Sequence, residues 1–401
     1  MSLSHIFYNT WKVFILNGLA LACGLGKNII LGRLLTETEL GIYSLVLTIV
    51  GFVYPLSLVG QQTALVRFLN DKTVDEFALR SYLVKVFAIS ISINVLGAFA
   101  GFEIYAITFT ALFFVLFVSF SSAANDIIPA ILRVKGYFAT SMFIFRGVNY
   151  FLMLYVLFLY YHESVEINTV LIGFICIFLL FTFTIVYFSR NIIAAGKTKI
   201  PPIVWHDGFI FLGTDLSLLV ITSIDRLIIP KIISLEALGL YFAINAILRI
   251  FDLLFQSIEF VLIPQIQKIR KKQIILISAI TFIAGAALFL IYIFLGPLMV
   301  DLAYNGKYNA GFYLIPLLCI SRFIRLLYSI PYSIISGKLG THRLKQLFNS
   351  NIVTMVVSII VSIILIHSYG LMGAAISTAF VWGIRLLFLA IILWMEKNTR
   401  G

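Results

Sequence analysis

Charge is what this sequence has least of. Only 11% of its 401 residues are Asp, Glu, Lys or Arg, while 61% are apolar, which excludes a soluble globular domain, where about a quarter are charged. Cysteine is nearly absent. Cys23, Cys176 and Cys319 sit singly inside apolar runs, which argues against a disulfide framework or thiolate metal site and makes them packing residues. The five histidines are scattered, with no pair at a metal-ligand spacing. Gly196-Lys197-Thr198 imitates the end of a phosphate-binding loop, but the glycine required five positions earlier is Asn191. ATP hydrolysis therefore has no motif behind it. No nucleophile motif is present, and the outer loops are too short for a catalytic domain, so the sequence predicts no enzyme. A membrane glycosyltransferase or polymerase is the enzyme alternative. Leu19-Ala20-Leu21-Ala22-Cys23 faintly resembles a lipoprotein cleavage box. The apolar segment runs past the cysteine and Lys12 alone is a weak basic lead, so an uncleaved first helix is expected.

What the sequence has is apolar runs, recurring from end to end and long enough to cross a hydrocarbon core of about 30 Å. They predict helices at 12–32, 42–63, 82–100, 104–124, 141–160, 168–188, 208–230, 239–263, 274–295, 312–335, 350–366 and 371–394. With the N-terminus inside, the inner loops carry Arg67, Lys72, Arg80, Lys85, Arg133, Lys135, Arg190, Lys197, Lys199, Lys268, Arg270, Lys271, Lys272, Lys338, Arg343 and Lys345. The outer loops carry only Arg33, Lys231 and Lys307. This asymmetry obeys the positive-inside rule and places both termini in the cytoplasm. The basic balance is thus explained by membrane topology and not by nucleic acid. The fold class expected is an all-α polytopic membrane protein of about 12 transmembrane helices.

The chain also resembles itself. The segment from Ile30 to Tyr43 aligns without a gap on the segment from Ile228 to Tyr241, and each ends in a Gly-x-Tyr step, Gly41 to Tyr43 and Gly239 to Tyr241. A weaker echo pairs Pro129 and its basic loop with Pro331 and Lys338. Because both copies begin on the same side, the repeat is parallel, and two six-helix bundles are expected: 1–190 and 208–401, joined by a cytoplasmic linker at 191–207 that contains Pro201 and Pro202. Such duplications place the substrate site between the halves and alternate access by rocking.

Ionisable side chains in a membrane helix cost about 2.5 to 3.5 kcal/mol on insertion scales, so their positions are informative. Asn245, Arg249, Asp252, Gln256 and Glu259 follow spacings of one helical face. Asp215, Thr222 and Arg226 share a face of the seventh helix, with Asp225 beside it. The first helix offers Asn17, Gly24 and Asn28 with Lys27 beside them, and the second ends in Gln61 and Gln62. The repeat pairs Asn17 with Asp215, Lys27 with Asp225 and Gln61 with Glu259. Helices one, two, seven and eight are therefore the candidate lining of a polar cleft, with Arg249 near mid-depth. The alternative is a set of internal ion pairs, Arg249 with Asp252 and Lys27 with Asp225. On the tenth helix Arg322, Arg325, Ser329 and Ser333 share a face, as a cavity wall or as partners of an acid such as Asp252. Arg146 and Arg385 stand alone and are expected to be structural.

The run Leu31-Gly32-Arg33-Leu34-Leu35-Thr36-Glu37-Thr38-Glu39-Leu40-Gly41-Ile42-Tyr43, continuing to Leu65-Val66-Arg67-Phe68, resembles the opening of the bacterial Wzx-type polysaccharide flippases. These belong to the multidrug/oligosaccharidyl-lipid/polysaccharide exporter superfamily. Tyr369-Gly370-Leu371-Met372-Gly373-Ala374-Ala375 resembles the family's entry into its last helix. The resemblance implies two bundles in the bacterial inner membrane that move an undecaprenyl-pyrophosphate-linked oligosaccharide from the cytoplasmic to the periplasmic leaflet, for O-antigen or capsule synthesis. It implies cationic pyrophosphate ligands, for which Lys27, Arg249 and Arg226 are the matching positions. Gln61, Gln62, Asn245 and Gln256 are then available to sugar hydroxyls. The second helix departs from the pattern, having no basic residue in its core. No cofactor is implied. With no ATP site, the free energy is expected from a proton or sodium gradient, for which Asp252 and Glu259 are the candidate carriers, from the membrane potential or from downstream consumption of product, and other polysaccharide-assembly proteins are the candidate partners. A multidrug-type cation antiporter shares the fold but calls for an acidic, apolar site. Lipid II flippases share the mechanism but usually carry two further helices.

Overall fold

The structure is a computed structural model that describes residues 3–69, 76–162, 165–190, 193, 196–252, 254–255, 258, 271–338 and 341–399. Among these residues there is no strand, only an isolated parallel bridge between Phe77 and Thr198. Ten helices are long and apolar enough to cross a membrane, and the helix Leu235–Ile247 is a shorter apolar one. The last of the ten is divided at Gly370, where φ is 60° and ψ is −136°. The protein is thus an all-α multi-pass membrane protein with twelve apolar helical segments among the described residues.

Two compact units divide the chain, Met1–Leu216 and Ser217–Gly401. The first contains α1 (Leu3–Leu34), α2 (Glu37–Leu58), α3 (Gln61–Leu69), α4 (Leu79–Tyr105), α5 (Phe109–Val134), α6 (Phe138–Arg146), α7 (Val148–Tyr160), α8 (Ile167–Ser189) and the start of α9 (Ile203–Ile232). The second holds the rest of α9, then α10 (Leu235–Ile247), α11 (Lys271–Tyr304), α12 (Leu314–Lys338) and α13 (Thr341–Thr399). In the first unit α2 packs on α4 and α5, and α5 on α8, so α2 and α5 form the interior. In the second, α12 against α13 is the dominant packing. Helix α11 exposes Ile275, Leu276, Ile280, Ile283 and Phe294, side chains at home against lipid tails.

The two copies of the repeat begin alike. Thr36 caps α2, its side chain accepting from the Glu39 N–H, and the Glu39 carboxylate accepts from the Thr36 N–H in return. Ser234, the aligned residue, caps α10 by accepting from the Ala237 N–H at 3.1 Å.

Several helices differ from the sequence expectation, among them 141–160, which Gly147 divides into α6 and α7. The predicted helix 42–63 ends at Leu58, because Val59 and Gly60 are left-handed (φ 52° and 66°), and Gln61 and Gln62 open α3. A Cβ on Gly60 would lie 2.2 Å from the Gly208 carbonyl oxygen, so only glycine fits this approach. The predicted helix 239–263 is interrupted at Leu248, which caps α10, and helix resumes at Arg249. The fourth helix runs on to Val134, ten positions past its predicted end at 124, and carries Asp126 within it.

Candidate functional site

The second unit contains a narrow polar pocket to which four helices contribute. Thr222, Asp225 and Arg226 come from α9, Tyr241 and Asn245 from α10, Ser321, Arg322 and Arg325 from α12, and Thr378 and Trp382 from α13. Arg322 and Arg325 are one helical turn apart and reach the same carboxylate. Arg322 Nη1 donates to both Asp252 oxygens, at 2.7 and 2.9 Å, and Arg325 Nη1 donates to Oδ1 at 2.7 Å. The second amino group of Arg322 donates to Asn245 Oδ1 at 3.0 Å. Asn245 and Asp252 therefore converge on one guanidinium although the helix breaks between them.

Asp225 is held differently. It accepts from the Tyr241 hydroxyl and from the Arg226 backbone N–H, the latter at 2.9 Å. Arg226 Nε has no hydrogen-bond partner among the described residues. Arg226, Arg322 and Arg325 outnumber Asp225 in the pocket lining, and Asp252 and Arg249 beside it add one charge of each sign. Arg249 and Arg226 lie within electrostatic range of Asp252 as well.

Aromatic rings fix the arginines. The Arg325 guanidinium lies 4.5 Å from the Phe255 ring centroid and 5.1 Å from that of Trp382. Trp382 also receives Arg385, at 4.9 Å, and Arg385 lies 4.7 Å from the Tyr328 centroid. Arg385 is only 3% exposed and donates to Tyr328 Oη at 3.0 Å and Asn351 Oδ1 at 2.8 Å. Its partners among the described residues are neutral.

The first unit brings together a second set. Lys27 is buried, 5.9 Å from the Tyr43 centroid and 5.2 Å from that of Phe174. Asn28 beside it is buried, and its Oδ1 has no hydrogen-bond partner among the described residues. Gln62 donates to Asp215 Oδ2 at 3.3 Å. Asp215 is within electrostatic range of Asp126 and Tyr54, and Arg146 of the same two groups. Gln61 is fully buried. It accepts from the Tyr82 hydroxyl and donates to Val59 O at 3.2 Å, bracing the turn between α2 and α3. Asn17 is partly exposed on α1. Gln256 and Glu259 lie outside the described residues.

Of the predicted lining, Asp225, Arg226 and Asn245 therefore share a pocket with Arg322 and Arg325, and Asp252 pairs with both of these arginines. Gln62 and Asp215 meet elsewhere, in the first unit. Sequence reasoning misses Asp126, which falls two positions beyond a predicted helix end, and Tyr241, which it marks only as a landmark of the repeat. An intramembrane acid close to a predicted boundary is the available signal for the first.

No family model matches the sequence, and no curated protein matches it. Solved structures do. The chain is similar to the lipid II flippase MurJ in an inward closed conformation, with a TM-score of 0.70 at 14% identity over 94% of this chain and 86% of that one. It is similar to an inward-facing multidrug resistance MATE family transporter of the MOP superfamily, with a TM-score of 0.65 at 12% identity over 94% and 96%. The MATE multidrug transporter DinF-BH gives 0.65 at 12% identity over 96% of each chain. The fold is thus shared with a lipid II flippase and with MATE multidrug transporters.

Proposed function

We propose that this protein is a flippase for a lipid-linked oligosaccharide carried on undecaprenyl pyrophosphate, moved from the cytoplasmic to the periplasmic leaflet of a bacterial inner membrane by alternating access. The observation that carries this reading is the pocket of Arg226, Arg322 and Arg325, cationic in excess, in a chain with the fold of a lipid II flippase and MATE transporters. Diphosphates and sugar rings cannot cross hydrocarbon unaided, because unpaired polar and charged groups there are penalised by several kcal/mol, on the order of 2 to 7 for a neutral one. Guanidinium forks answer the charge, since they match phosphate oxygens in pairs. A cation antiporter would call for the opposite sign of site.

Within this reading Arg226 remains a pyrophosphate ligand and is joined by Arg322 and Arg325. Lys27, buried beside Tyr43 and Phe174 in the first unit, is kept as a candidate pyrophosphate ligand. Arg249 is kept as a neighbouring cation. The protein has both termini in the cytoplasm, is not an enzyme, and draws its driving force from an ion gradient or from consumption of its product.

The test is reconstitution. Proteoliposomes containing the full chain should deliver a fluorescent undecaprenyl-diphosphate glycan to the outer leaflet faster than empty vesicles. Export of a lipophilic cation dye with no movement of the glycan lipid would favour the antiporter and overturn the proposal.

A further inference from the structure

We propose that Asp252 occupies in this structure the place of a ligand's diphosphate, and that binding exchanges this internal carboxylate for the ligand at Arg322 and Arg325. The inference rests on the flippase reading for the ligand's class, but its geometry is that of the second unit alone. Asp252 is held at 2.7 and 2.9 Å by Nη1 of Arg322 and at 2.7 Å by Nη1 of Arg325, charge-assisted bonds of the length that phosphate oxygens also make with guanidinium N–H groups. The free space beside the arginines admits little more than a water molecule. An anion can therefore reach them by replacing the carboxylate.

Charge favours the exchange. Asp252 offsets one of the charges of Arg226, Arg249, Arg322 and Arg325, and its withdrawal raises their excess over Asp225 from two to three, which a diphosphate lowers further than a single carboxylate does. Asp225 is not the exchangeable acid, being 6% exposed and tied to the Tyr241 hydroxyl and the Arg226 N–H. Asp252 has a side chain 21% exposed and follows the helix break at Leu248. Its departure thus leaves α10 and α12 intact. The arginines keep partners when it goes: Arg325 its contacts with Phe255 and Trp382, and Arg322 its bond to Asn245. The receiving half is preorganised, and only the Asp252 side chain has to turn away, with Phe251 and Phe255 beside it staying buried.

The test is calorimetric titration of the full chain in detergent with inorganic pyrophosphate, farnesyl diphosphate and farnesol. Asp252→Asn should bind pyrophosphate about tenfold tighter than the wild type, the scale of one ion pair removed from the competing state. Arg322→Ala with Asp252→Ala, which balances charge, should lose binding. In the wild type, carbodiimide labelling of Asp252 should rise as pyrophosphate saturates, a readout that does not depend on any variant folding. Equal affinity for pyrophosphate and farnesyl diphosphate assigns recognition to the phosphoanion, and preference for the farnesyl compound assigns it to a lipid headgroup. Both support the exchange. Binding of pyrophosphate to Asp252→Asn no tighter than to the wild type, unchanged or reduced labelling, or farnesol bound as well as farnesyl diphosphate would overturn it. Translocation separates the two proposals: glycan flipping with no tightening refutes the exchange alone, and tightening with no flipping refutes the flippase reading alone.

Discussion

Arg385→Met removes a buried cation while keeping a long apolar side chain in its place. The wild-type guanidinium donates two hydrogen bonds, to Tyr328 Oη and Asn351 Oδ1, each contributing roughly 1.5 to 3 kcal/mol for a charged donor. Its contacts with Tyr328 and Trp382 add up to about 2 kcal/mol each when desolvated. Against this stands a burial cost of about 2.5 to 3.5 kcal/mol on insertion scales. Nε and Nη1, buried with no hydrogen-bond partner among the described residues, add to that cost, so the guanidinium's own contacts do little more than offset its burial. Methionine also leaves the buried Asn351 acceptor unmatched. Thermal unfolding in detergent, followed by size-exclusion recovery after heating, should show the variant melting several degrees below the wild type. Arg385→Lys should fall between them, because an ammonium keeps the charge but not the fork. A variant Arg385→Met that melts with or above the wild type would refute the reasoning. The guanidinium would then be a tolerated burden, as some buried ions are, and the ring ladder would contribute nothing to holding Arg325.

Three further outcomes follow from other places in the chain. Gly60→Ala should reduce the yield of folded protein sharply, since its Cβ would fall 2.2 Å from Gly208 O at a left-handed φ of 66°, whereas Gly18→Ala, with open space around it, should be neutral; equal yields would count against the α2–α3 turn. A cysteine at Thr198 should react with a membrane-impermeant maleimide only from the cytoplasm and one at Ala310 only from the periplasm, and labelling of both from one side would reject the orientation. Asp126→Asn and Asp215→Asn should each uncouple transport from an imposed ion gradient while leaving pyrophosphate binding intact if the first-unit acids carry the coupling ion, and unaltered gradient dependence in both would discard that role.

The twelve apolar segments are legible because membrane spanning writes itself into composition: every backbone polar group must be satisfied within its own helix, so each span is a long apolar run. Breaks are less legible. Val59-Gly60 and Leu248 interrupt predicted helices without proline, and the first is explained by a close approach of Gly208 that lies 148 positions away in the chain. The polar faces follow from helical period, which shows that residues share a side but not what they meet. Thus Asn245 and Asp252 fall on one face in the sequence and meet one guanidinium in the structure, while their partner Arg322, 70 positions beyond Asp252, is one of two alternatives by sequence alone. Arg385 stands alone in sequence for the same reason, its acceptors being Tyr328 and Asn351 on two other helical segments.

The repeat explains why the cationic pocket belongs to the second unit. Both copies present a capped helix start, at Thr36 and Ser234, and a buried tyrosine seven positions on, Tyr43 and Tyr241. The residue facing that tyrosine is Lys27 in the first copy and its aligned partner Asp225 in the second. An ammonium has protons but no acceptor, so it sits near the negative face of the Tyr43 ring. A carboxylate has only acceptors, so it takes the Tyr241 hydroxyl proton instead. One frame thus accommodates either sign of charge by presenting a different part of the same side chain. In the second copy the hydroxyl bond, together with the Arg226 N–H, occupies both oxygens of Asp225. The Arg226 side chain beside it has an Nε with no hydrogen-bond partner among the described residues. The anion selectivity proposed for the second unit is therefore built by substitution on a duplicated scaffold, in which the tyrosine hydroxyl draws Asp225 to itself.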